Sequence, residues 1–96
     1  MSQSVMITSD TPVALKPLIE SAIRSELQIL ELGLVRTRQR LKEFEDRYNL
    51  SSEEFFRRFE TAEVEETLDF IEWAGEVKTY RQLENQRRTL EDIQLS

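Results

Sequence analysis

The chain has 96 residues, 19 acidic and 13 basic side chains, and neither Cys nor His. That length suits one small domain. The missing residue types exclude disulfides, thiolate or imidazole metal sites, and every catalytic dyad or triad built on Cys or His. Only two Gly and two Pro occur, with both Pro before Leu18. A β-rich fold needs turn residues about every ten positions, so the chain reads as all-α.

Residues 1–15 are polar, lack periodicity and contain Pro12. They read as a flexible N-terminal arm, with a short ordered strand as the second option. The arm has neither the basic start nor the apolar core of a secretory signal. No run approaches the ~18 apolar residues of a membrane span. A cytoplasmic protein is expected.

Residues 16–96 are expected to form a single helical domain. Helix 1, about 17–48, opens on Pro17, which suits a first helical position. Ile23, Leu27, Leu30, Leu34, Thr37, Leu41, Phe44 and Tyr48 follow at steps of 4, 3, 4, 3, 4, 3 and 4, an a/d seam. Leu18, Ile19, Ala22, Leu32 and Val35 add a second apolar stripe beside it. Gly33 and Thr37 make a thin place in the seam, where backbones could approach or a partner side chain enter. Arg36, Arg38, Arg40 and Lys42 form a basic run whose i,i+4 pairs repel unless neutralised. A salt-bridged face is the plain alternative, with Glu43, Glu45 and Asp46 close by and the acidic start of helix 3 within reach of antiparallel packing; an inter-chain role for these charges is favoured over DNA binding.

Asn49-Leu50-Ser51-Ser52-Glu53-Glu54-Phe55 is the sharpest local signal. Ser51 is an N-cap, Glu54 closes a capping box, and Leu50 and Phe55 occupy the positions of a hydrophobic staple. Asn49 suits the left-handed residue that ends helix 1. Helix 2, about 52–61, carries Phe55, Phe56 and Phe59. Helix 3, about 67–94, starts at Thr67 and repeats Phe70, Trp73, Val77, Tyr80, Leu83, Leu90 and Ile93 at helical steps. The result is an antiparallel helical hairpin of two long helices joined by a short one. Such a hairpin buries little surface for its length, so a coiled-coil-like homo-oligomer, dimer or tetramer, is expected. The self-association positions are Ile23, Leu27, Leu30, Leu34, Leu41 and Phe44, together with the second stripe.

Charge is uneven along the chain. Residues 1–50 hold seven acidic and seven basic side chains, whereas residues 51–96 hold twelve and six. Between Phe59 and Val77 there are seven carboxylates and no Lys or Arg. This disfavours nucleic acid as a ligand and suits a basic protein surface. Glu63, Glu65, Glu66, Asp69, Phe70, Glu72, Trp73 and Glu76 are the candidate partner-binding residues, with the aromatics as anchors in a charged rim. Glu65-Glu66-x-x-Asp69 matches only half of a carboxylate Mg²⁺ site, so no metal, cofactor or catalytic residue is assigned and no enzymatic activity is expected.

The stretch from Leu41 to Tyr80, and within it RYNLSSEEF and DFIEW, resembles a family of small prokaryotic helical proteins. These are common in cyanobacteria and archaea and often encoded beside a toxin-like gene. They resemble antitoxins of type II toxin–antitoxin pairs. The resemblance implies a non-enzymatic protein that neutralises a ribonuclease-like toxin. The family has a glycine-containing linker after helix 2, where this chain has Thr61-Ala62-Glu63-Val64. The alternative is a structural coiled-coil adaptor or self-assembling scaffold without a toxin partner.

Overall fold

A computed structural model describes residues 3–5 and 14–95. Three helices account for most of them: α1 (Leu15–Tyr48), α2 (Ser52–Glu60) and α3 (Leu68–Glu91). The long helices pack antiparallel, with the short α2 across the corner, in an all-α hairpin measuring 59 × 22 × 18 Å. No described helix is long and apolar enough to cross a membrane.

The boundaries follow local chemistry. Helix α1 begins two residues earlier than expected, so Pro17 is its third residue. The first four N–H groups of a helix lack internal acceptors, and the missing N–H costs no bond there. Asn49 ends α1 in the left-handed conformation at φ 49°, its N–H donating to the Glu45 carbonyl. Ser51 caps α2 and Thr67 caps α3, each side chain accepting a backbone N–H three residues on. Between α2 and α3 lies a true linker, in which Ala62 also adopts a left-handed φ of 58°.

Helix α3 stops at Glu91, short of its expected end, because Ile93–Leu95 (β2) lies parallel to Gln3–Val5 (β1). Part of the expected N-terminal arm is thus a short strand. Residues 1–2 and 6–13 of that arm lie outside the described residues.

The core is concentrated at the corner. Trp73 is fully buried and sandwiched, with the Phe55 ring at 3.9 Å and the Phe44 ring at 5.6 Å, both nearly parallel to it. Tyr48 and Phe70 close the cluster edge to face at 5.0 Å, and Leu41, Phe56, Ala74 and Val77 complete it. The indole N–H donates to the Ser52 hydroxyl at 3.0 Å. Farther along the hairpin, Leu30, Leu34 and Thr37 are buried. The thin place at Gly33 is occupied by the chain's own Leu83, whose methyl lies 3.3 Å from where a Gly33 Cβ would stand. Thr37 stays dry by donating its hydroxyl to the Gly33 carbonyl at 2.8 Å.

These contacts revise the expected self-association positions. Leu30, Leu34, Leu41 and Phe44 are covered within one chain, while Ile23 and Leu27 are half-buried. The seam is the hairpin's own interface, since a partner helix tethered by a nine-residue α2 meets it at far higher effective concentration than a second chain does.

Candidate protein-binding surface

The antiparallel register aligns the basic run of α1 with the acidic start of α3. Arg47 donates to the Asp69 carboxylate at 2.8 Å and Arg40 pairs with Glu76 at 3.0 Å. Arg38 donates to the Tyr80 phenol at 2.9 Å and Lys42 pairs with Asp46. The expected inter-chain role for this run is therefore corrected for Arg38, Arg40 and Lys42, whose partners lie in the same chain. Arg36 alone of the four has no such partner among the described residues.

The eight proposed partner-binding residues separate into two groups. Glu63 accepts from Arg57 at 3.0 Å and from the Thr61 hydroxyl. Asp69 accepts from both Tyr48 and Arg47, which lower its pKa, Tyr48 most. Together with the Arg40-bound Glu76, these carboxylates hold the corner together. Trp73 is no surface anchor, because an indole stacked on both faces with its N–H satisfied has nothing left to offer a partner. Phe70 is half-buried against the same cluster.

Glu65, Glu66 and Glu72 remain. All three are exposed and have no hydrogen-bond or ion-pair partner among the described residues. Around them the structure adds two residues that the sequence reading passed over. Leu68 is 72% exposed and Ile71 50%. The signal was present: at 100° per residue Leu68 lies opposite the Phe70, Trp73, Ala74 and Val77 face and Ile71 lies to one side of it. Gly75 continues the same outer side of α3, with open space where a Cβ would stand. The surface is an apolar strip with three free carboxylates around it, Glu65 and Glu66 ahead of the helix and Glu72 in its second turn. The helix dipole favours negative charge just ahead of the first turn, where Glu65 and Glu66 lie.

Among the described residues, no group of three or more Asp or Glu side chains gathers as metal ligands would. Asp69, the third member of the half-matched carboxylate motif, turns instead to Tyr48 and Arg47. Comparisons with protein-family models, curated proteins and solved structures return no match for this chain.

Proposed function

We propose that the protein is a binding module for a basic protein, acting as the antitoxin that neutralises a ribonuclease-like toxin. One observation supports this most directly: Leu68 and Ile71 lie exposed amid the unpaired Glu65, Glu66 and Glu72. Exposed apolar groups ringed by charge of one sign suit a partner of the opposite sign. The charge speeds encounter and the apolar contact slows release. The resemblance over Leu41–Tyr80 supplies the class of partner.

The test is capture from the native host followed by mass spectrometry, then binding kinetics with the captured protein. The wild type is expected to retain a basic ribonuclease-like protein. Reversing Glu65, Glu66 and Glu72 to Lys should slow association by about tenfold or more and flatten its dependence on salt. Leu68→Ala with Ile71→Ala should mainly quicken dissociation. Unchanged rates in the charge-reversed protein would reduce the acidic face to a solvated surface. The adaptor or scaffold reading draws on a different observation, the apolar outer face of α1, and predicts that charge reversal changes nothing.

A further inference from the structure

The side of α1 turned away from α3 carries no charge between Leu18 and Val35. Leu18, Ala22, Ser25, Ile29 and Leu32 follow at steps of 4, 3, 4 and 3, and Val35 lies one step on. Their large side chains stand open to solvent, at 58% for Leu18, 60% for Ile29, 69% for Leu32 and 48% for Val35. Ser21 and Gln28, beside them, are exposed and uncharged. The charged residues of this stretch, Glu20, Arg24, Glu26 and Glu31, fall on the flanks when the helix is wound at 100° per residue. Thirteen of the 34 residues of α1 are charged, yet this face stays neutral for five turns, about 26 Å.

We propose that this face pairs with the same face of a second copy, antiparallel, about a two-fold axis near Gln28 and Ile29. Charge selects the direction. Parallel pairing would set Arg36, Arg38, Arg40 and Lys42 of each copy beside their own counterparts. Antiparallel pairing parts the two basic runs and brings each toward the N-terminal half of the other helix. About that axis the run lies opposite residues 15–21, whose only charges are Lys16 and Glu20. Arg36, on this face, and Glu26, beside it, have no partners among the described residues, so they are free for such pairing. Side-chain size fits the same axis: Ser25 meets Leu32 of the other copy, small against large. Two helix faces of this length make a small interface beside those of permanent dimers, so association is sought across the micromolar range.

This surface is separate from the acidic one, and its test needs no other protein. In sedimentation equilibrium across the micromolar range, the average mass should rise from 11.4 kDa toward twice that value. Leu32→Lys should weaken association by about a hundredfold or more, since an ammonium cannot be buried against Ser25 without a partner charge. Its circular dichroism should match the wild type, because Leu32 touches nothing in the hairpin core. The absence of native Cys allows a second measurement under mild oxidation. Gln28→Cys, at the axis, should cross-link to itself, whereas Gln39→Cys, opposite Leu18 of the other copy, should not. A wild type that stays monomeric, or a Leu32→Lys variant that associates like the wild type, overturns the proposal. Gln39→Cys cross-linking as readily as Gln28→Cys overturns the antiparallel arrangement.

Discussion

Ser52 is the first residue of α2, and its hydroxyl accepts the only side-chain N–H that Trp73 has to give. Its backbone N–H donates to the Glu45 carboxylate at 2.9 Å. This serine, beside the capping Ser51, therefore joins all three helices at one point. Ser52→Ala should leave the buried indole N–H without an acceptor and cost about 1–3 kcal/mol. Denaturant unfolding followed by Trp73 fluorescence measures this, and an unshifted midpoint would mean the bond contributes nothing. Ala62 presents the opposite case. A left-handed φ of 58° crowds its Cβ against the backbone, at a cost of about 1–2 kcal/mol relative to ordinary conformations. Ala62→Gly removes that crowding but frees the unfolded chain by about 0.4–1 kcal/mol. The net expectation is a stabilisation of about 1 kcal/mol, read as a higher urea midpoint.

At the level of the element, α2 shows how a motif can form by halves. Ser51 caps the helix as its sequence predicts, accepting the Glu54 N–H at 3.2 Å. The Glu54 side chain does not complete the capping box. It is held instead by Arg57 at 2.8 and 3.1 Å and by Arg58 at 3.0 Å, three charge-assisted bonds outcompeting one neutral N–H. Those arginines lower the Glu54 pKa from 4.5 to about 2, Arg57 most. A folded-state pKa below the unfolded value means stabilisation that is fully present above pH 4.5 and lost as pH falls toward 2. Glu63, lowered chiefly by the Thr61 hydroxyl, and Asp69, lowered chiefly by Tyr48, act in the same direction. Thermal midpoints should therefore fall across this acidic window, and Glu54→Gln should make the fall shallower. Identical slopes for variant and wild type would show that the Glu54 pairs do not survive in solution.

Across the whole molecule, the two proposed surfaces sit in different halves of the hairpin. The neutral face of α1 centres near residue 27 and the acidic strip lies at the corner beyond Tyr48, about 30 Å along the helix at 1.5 Å per residue. Pairing two copies through the neutral face leaves an acidic corner free at each end of the dimer. The arrangement accommodates self-association and partner binding together, because neither covers the other.

The helical content, the corner at Asn49–Ser51 and the antiparallel hairpin were legible in the sequence. Each rests on interactions within a few residues: turn chemistry, caps and the spacing of apolar side chains. The identity of the partners of those side chains was not legible. A heptad seam reads the same whether its other half is Leu83 of the same chain or a second copy. A run of carboxylates does not reveal that Asp69 and Glu76 face Arg47 and Arg40, while Glu65, Glu66 and Glu72 face solvent. The helical spacing of Trp73 reads as core and its acidic sequence neighbours as a half-buried anchor; its spatial neighbours, Phe44 and Phe55, decide for the core. Periodicity specifies which residues share a face. Only the docking of α3 on α1 decided which face was spent in the core, and so left Leu68, Ile71 and the outer side of α1 open for binding.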